Sequence, residues 1–259
     1  SPDLGASTEV SGRQVLPTPA YIRCWKPGSP AADARQVVGP GARVNGINDL
    51  GTDYDFAIAP SGEIFVADFD NERLLSFHNG SGRLVLDELN EDDKICCSPN
   101  GVLYVLTNEA LQKLEGSRLQ TVMTFESLPE DLQFGAAMVA TKEEVIYVLD
   151  RRKHRILRIN PAESLEPVVV GQVPAEHEPD LWDLFVTEGG TIYVADHSRR
   201  KVLAFRPGDA TVTQVLKCPG RWRPASLVVQ DSSLYVSMVD PSDATSGSVY
   251  EYELPPVLQ

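Results

Sequence analysis

Apolar residues in this chain fall in short runs separated by polar turns rich in Gly, Pro, Asn, Asp and Ser, with little helical periodicity anywhere. Five runs resemble one another: Ile64-Phe65-Val66-Ala67-Asp68, Leu103-Tyr104-Val105-Leu106-Thr107, Ile146-Tyr147-Val148-Leu149-Asp150, Ile192-Tyr193-Val194-Ala195-Asp196 and Leu234-Tyr235-Val236-Ser237-Met238. Their starts lie 39, 43, 46 and 42 residues apart, a period that in β-rich sequence marks propeller blades. Ile64-Phe65-Val66-Ala67 offers no polar face, so this strand is expected to be sandwiched between neighbouring blades. Arg155-Ile156-Leu157-Arg158-Ile159 is mixed, as expected nearer a rim.

Each anchor run sits in the same local grammar. Before it come a further apolar stretch and a tight turn, as in Phe56-Ala57-Ile58-Ala59-Pro60-Ser61-Gly62, Ile95 to Gly101 and Leu184 to Gly190, whose Ser-Gly, Asn-Gly and Gly-Gly pairs supply positive-φ positions. After it come a polar turn and a third strand: Arg73 to Phe77, Arg155 to Ile159, Lys201 to Phe205, and less regularly Ala110 to Leu114 and Ser248 to Tyr252. A fourth strand follows at Arg83 to Leu86, Gln120 to Thr124, Pro167 to Val170 and Thr213 to Leu216. Four antiparallel strands repeated radially make an all-β propeller. Helix is limited to a turn at Ser127 to Leu132 and another at Thr141 to Glu144.

A partial copy opens the chain, with Tyr21-Ile22-Arg23-Cys24-Trp25 as a third strand and Gln36-Val37-Val38-Gly39 after it. The expectation is six blades with a degenerate first blade that lacks clear first and second strands unless Val10 to Leu16 supplies an eroded one; five blades is the alternative. Residues 1–19 are then an extension or eroded first-blade strands, and 20–259 the propeller, with ring closure expected to join the N-terminal segment to Leu254 to Gln259.

Asp68 to Phe77, Asp150 to Ile159 and Asp196 to Phe205 resemble the core of the NHL repeat, and Asp150-Arg151-Arg152-Lys153-His154-Arg155-Ile156 is the best copy. The resemblance spans nearly the whole chain and implies a fold, not an activity. Gly39-Pro40-Gly41-Ala42-Arg43 through Asn48-Asp49-Leu50 resembles the interblade connection of NHL proteins of some unicellular algae. Taken with a start at Ser1-Pro2-Asp3 without Met, it implies a processed peripheral subunit of an organellar membrane complex, on the lumenal side of a photosystem. A thylakoid-lumen or extracytoplasmic setting is favoured over a cytoplasmic one.

An acid and a base recur five residues apart at Asp68/Arg73, Asp150/Arg155 and Asp196/Lys201. Across a hairpin this spacing lets the carboxylate accept turn N–H groups and face a cation, so these pairs are expected to clamp turns. Thr107 and Met238 break the pattern, and differently shaped hairpins are expected there.

The chain has 259 residues, 42% hydrophobic and 23% charged, enough for a large core. Its 37 acidic residues against 23 basic ones give a net charge of −14, which opposes nucleic acid at long range. No apolar run approaches a membrane span. Cys24, Cys96, Cys97 and Cys218 lack metal-ligand spacing and are expected to be buried thiols, with a Cys24–Cys218 disulfide left open.

NHL-like propellers resemble calcium-dependent lactonases and esterases, strictosidine-synthase-like proteins and a zinc lyase of peptide amidation. Such sites gather ligands around the central channel. Nine residues before each anchor, the innermost strands carry Asp55, Lys94, Ala137, Asp183 and Ala225, too few carboxylates for a cation cage. The scattered His78, His154, His177 and His197 share no ligand spacing, and no nucleophile elbow or phosphate loop occurs. No catalytic, cofactor or metal residue is therefore assigned.

In a propeller, the turns between second and third strands and the interblade connections share one face. Arg151-Arg152-Lys153, Arg199-Arg200-Lys201 and Arg221-Trp222-Arg223 gather there. Arg151, Arg152, Lys153, Arg199, Arg200, Arg221, Trp222 and Arg223 form the candidate partner-binding set, a basic patch with one aromatic on an acidic body. The function expected is a non-catalytic protein–protein scaffold with protein partners and no nucleic acid. A lactonase-type hydrolase or lyase with a channel metal, and an RNA-binding domain, are the competing classes.

Overall fold

The computed structural model describes residues 22–24, 35–38, 43–44 and 50–254, apart from 52–53, 80, 91–92, 108, 125–134, 175–178, 210–211 and 231. Two short strands, β1 (Ile22–Cys24) and β2 (Arg35–Val38), pair antiparallel as a separate sheet, and β3 (Arg43–Val44) follows. Blade I is β4 (Tyr54–Ile58), β5 (Ile64–Asp68), β6 (Arg73–His78) and β7 (Ser81–Leu86). Blade II is β8 (Lys94–Cys97), β9 (Leu103–Leu106), β10 (Ala110–Glu115) and β11 (Arg118–Thr124). Blade III is β12 (Gly135–Ala140), β13 (Ile146–Asp150), β14 (Arg155–Asn160) and β15 (Ser164–Gln172). Blade IV is β16 (Leu181–Val186), β17 (Ile192–Asp196), β18 (Lys201–Phe205) and β19 (Thr213–Lys217). Blade V has three strands, β20 (Arg223–Gln230), β21 (Ser233–Asp240) and β22 (Asp243–Glu253).

Within each blade consecutive strands pair antiparallel, and the innermost strands β4, β8, β12, β16 and β20 neighbour one another in that order round a ring. This is the expected propeller. The five anchor runs are the second strands β5, β9, β13, β17 and β21. Blade I departs from the repeat by taking β3, parallel to β7, as a fifth strand on its outer edge. The strands expected near Tyr21 and Gln36 are β1 and β2. Val10 to Leu16, residues 1–19 and residues 255–259 lie outside the described residues, as does the turn expected at Ser127 to Leu132.

The core lies between blades, as two-sided apolar strands require. Phe65, Ala67 and Leu74 of blade I meet Ile95, Leu103 and Val105 of blade II. Leu149 and Ile156 of blade III meet Leu184, Ile192 and Val194 of blade IV. Tyr193, Ala195 and Val202 of blade IV meet Leu227, Leu234 and Val236 of blade V. Each fully buried Leu, Ile or Val contributes roughly 1.5–3 kcal/mol. β17 is buried at every position, whereas β21 alternates, with Leu234, Val236, Met238 and Asp240 buried and Ser233, Tyr235, Ser237 and Val239 half-buried. Ser237 in the last anchor run, with Ser233 just before it, is the sequence trace of a strand covered on one face.

The recurrent turns have a common geometry. Asp68↔Arg73, Asp150↔Arg155 and Asp196↔Lys201 are the closing cross-strand pairs of their hairpins. One residue before each base, Glu72, His154 and Arg200 adopt the left-handed conformation, with φ of 51°, 54° and 58°. Their carbonyls accept N–H groups from Leu89, Val173 and Cys218, at 3.0, 2.8 and 2.8 Å, tying each turn to the connection that leaves the blade.

Candidate interaction face at the second-to-third-strand turns

The three aspartates that open the turns are fully buried, so each needs a compensating partner. Asp68 accepts from Arg73 Nε at 2.8 Å, from Asn71 and from the Gly51 N–H. Asp150 accepts from Arg155 Nε at 2.7 Å and from the Lys153 N–H at 3.0 Å. Both are the clamps expected from the five-residue spacing. Asp196 differs: its nearby cation is Arg199, 3.6 Å away, and Ser198 and the Arg199 N–H donate to its other oxygen. In blade II, Thr107 Oγ1 takes over the role and accepts the N–H groups of Glu109 and Ala110.

The innermost strands carry Asp55, Lys94, Ala137, Asp183 and Ala225 at the five equivalent positions, and Ala137 packs against the core between blades III and IV. Asp55 accepts the N–H of Phe56 at 2.9 Å and, across to blade II, that of Ile95 at 3.4 Å. Asp183 accepts the N–H of Leu184 at 2.9 Å and, across to blade V, the Leu227 N–H at 2.7 Å and Ser226 Oγ at 2.8 Å. Both carboxylates thus stitch one inner strand to the next. Burial pushes Asp183 up to about 6 against these hydrogen bonds, with the Asp55 charge adding to the rise. The Lys94 ammonium lies 5.2 Å above the Phe69 ring. Among the described residues no three His, Cys, Asp or Glu converge as metal ligands.

The remaining candidates are set by their surroundings. His154 is a left-handed turn residue, His78 ends β6 exposed, and His177 lies outside the described residues. Cys96, Cys97 and Cys218 are free thiols, and burial raises all three, Cys97 and Cys218 to about 11. The side chain of Cys24 lies outside the described residues. Between blades II and III a groove of about 320 Å3 is lined by Tyr104, Lys113, Gln120, Glu144 and Asn160. Its Glu144 already accepts from Tyr104, Asn100 and Ser98.

On the turn face, polar bonds link blades III, IV and V. Arg151 Nε donates to Asp180 Oδ1 at 3.0 Å, and its guanidinium lies 5.9 Å from the centroid of Trp182. Trp182 Nε1 donates to Asp180 Oδ2 at 2.8 Å, and the Asp180 carbonyl accepts the His197 N–H at 2.7 Å. Burial would raise Asp180, but hydrogen bonds from Trp182 and Arg151 and the nearby cationic charge hold it below its ordinary value. His197 stacks on the indole and reaches the Pro224 carbonyl of blade V through Nδ1 at 3.1 Å.

The eight basic-patch residues divide by environment. Arg151, Arg152 and Arg221 are exposed, and Arg221 reaches back to the buried Asp240 at 2.6 Å. Arg199 donates to the Pro174 carbonyl at 3.1 Å and Arg200 to the Gly220 carbonyl. Lys153 and Arg223 are half-buried. Trp222 packs on the blade V core, edge-on to Tyr250. Among the described residues the exposed aromatic is Trp182, 37% exposed. The repeat alignment could have found it: it stands one position before Asp183, at the mouth end of an innermost strand, where blade I has Tyr54.

No protein-family model matches the chain, and no curated protein matches it in sequence. Among solved structures it is similar to a catalytically inactive virginiamycin B lyase from Staphylococcus aureus with quinupristin (TM-score 0.59, 12% identity, 78% of this chain and 66% of that one). The selenomethionine form of that lyase gives a TM-score of 0.57 at 11% identity over 98% of this chain and 84% of that one. A chain of a nidogen/laminin complex gives 0.55 at 15% identity over 75% of each. At these identities the likeness speaks for architecture alone, and what it shows is that the chain is a β-propeller.

Proposed function

We propose that the chain is a non-catalytic protein–protein interaction scaffold, a peripheral subunit of a larger assembly that engages its partner through the turn face of blades III to V. The observation that carries this reading is the distribution of charge and aromatic surface. On that face the described acids Asp150, Asp196 and Asp240 are buried, while Arg151, which lies against the exposed Trp182, and also Arg152 and Arg221 reach solvent. Arg and Trp are the residue types that dominate binding energy at protein interfaces. The Gly39–Leu50 connection is the only support for an organellar assembly.

A channel hydrolase or lyase is the second reading, favoured by one observation: Asp183, at about 6, lies in the range of a general acid–base group. Its oxygens are committed to Leu184, Ser226 and Leu227, which weighs against it.

The test is the native mass of the protein after gentle solubilisation of its source, gradient separation and mass spectrometry of the co-migrating fraction. Co-migration with a large complex is expected. A lone species near the 28.3 kDa chain mass overturns the stable-subunit reading and directs attention to metals and lactone or ester substrates in the channel.

A further inference from the structure

Resting on the scaffold reading, we infer that the turn face of blades III to V takes an acidic extended segment of a partner protein, with an apolar side chain of that segment against Trp182. Three features of the face lead there.

The first is its charge. The chain carries −14 overall, yet here Asp150 and Asp196 are fully buried and Asp240 nearly so. The half-exposed Asp180 is engaged by Arg151 and Trp182. Among the described residues of the face, solvent therefore meets the cations: the Arg221 side chain is 67% exposed and that of Arg151 49%, with Arg152 next to Arg151 in the chain. A local positive face on a negative body orients an acidic partner and repels it elsewhere, which fixes where it docks.

The second is rigidity. Trp182 is held by the hydrogen bond to Asp180, the stacked His197 and the Arg151 guanidinium. An aromatic already fixed in place loses little conformational freedom on binding, so its contact area converts to affinity more fully.

The third is continuity. Arg151 belongs to the blade III turn, Asp180, Trp182 and His197 to blade IV, Gly220 to the approach to blade V and Pro224 to its first strand. The cations thus follow one another across three blades as a strip, which suits an extended segment better than a single small anion. Nucleic acid meets the same cations, but base stacking needs an open aromatic face, and the indole already has His197 on its ring.

The experiment measures fluorescence anisotropy of a labelled Asp/Glu peptide with a central Leu-Phe pair, using the full chain. Comparison probes are the same peptide without Leu-Phe, a Lys counterpart and an oligothymidylate. The acidic Leu-Phe peptide is expected to bind, to weaken as salt rises from about 50 to about 200 mM, and to lose affinity at least about 10-fold on Trp182→Ala. Arg152→Glu, at an exposed position, is the second variant and is expected to weaken binding while circular dichroism stays unchanged. The inference is overturned by no binding of the acidic peptide, by binding indifferent to both variants, or by preference for the oligothymidylate. A native complex that survives both variants also overturns it while leaving the scaffold reading standing. Peptide binding by a protein that migrates alone supports it and overturns only the stable subunit.

Discussion

The indole of Trp182 and the imidazole of His197 lie face to face, centroids 3.7 Å apart and planes within 4°. Because His197 also reaches the Pro224 carbonyl, the stack joins the innermost strand of blade IV to the first strand of blade V. Burial lowers the proton affinity of His197, with Arg223 and Arg151 lowering it further against Pro224 and Asp180.

That lowered affinity has a defined sign in stability. A histidine whose folded pKa falls below its unfolded value of about 6.5 contributes fully above that pH, and the contribution is lost as pH falls through the folded value. His197→Phe keeps an aromatic ring on Trp182 and removes the titration. Urea midpoints measured at pH 7 and pH 5 are expected to fall further for the wild type than for His197→Phe. Parallel falls would mean that His197 protonates without resistance.

The turn clamps predict different costs at equivalent positions of the repeat. Arg155→Ala leaves the Asp150 carboxylate buried without its main cation and is expected to destabilise by about 3 kcal/mol. Lys201→Ala is expected to cost under about 1 kcal/mol, because the cation near Asp196 is Arg199. Equilibrium urea unfolding of both variants checks this; equal losses would mean that Lys201 serves Asp196 after all.

Strands were legible in the sequence and neighbours were not. The two-sided apolar runs located β5, β9, β13 and β17, because burial between blades leaves no polar face, and the spacing of the repeat located the centre of β21. The Asp150–Arg155 clamp was legible because both partners lie on one hairpin. Asp196 escaped the same rule since Arg199, in the same turn, takes the position Lys201 was expected to fill. The repeat alignment separates Trp222 and Trp182 by the mouth position of Trp182, one residue before Asp183. What stays hidden in the chain is the packing of Tyr250 against Trp222, a contact between residues distant in sequence.

Left-handed turn residues yield a further prediction. Glu72 is exposed at φ 51°, where a Cβ costs roughly 1–2 kcal/mol that glycine avoids, less the extra freedom glycine brings to the unfolded chain. Glu72→Gly is expected to stabilise by about 0.5 kcal/mol, and Glu72→Val to destabilise by about 1 kcal/mol or more. Thermal unfolding of the pair decides it: a loss with glycine would assign the Glu72 side chain a bond that outweighs the strain.

Asp183 predicts the opposite pH dependence from His197. Its folded pKa of about 6 lies above the unfolded value of about 3.9. The associated stability is therefore complete below about pH 4, declines as pH rises through about 6, and leaves a deficit of order 3 kcal/mol at pH 8. Asp183→Asn retains an oxygen for the Leu227 N–H and cannot ionise. Relative to wild type it is expected to gain about 2–3 kcal/mol between pH 4 and pH 8, measured by urea unfolding at each. An offset equal at both pH values would mean that water in the channel solvates the carboxylate fully. The stitch between blades IV and V would then rest on the Leu227 and Ser226 hydrogen bonds without a buried charge to oppose them.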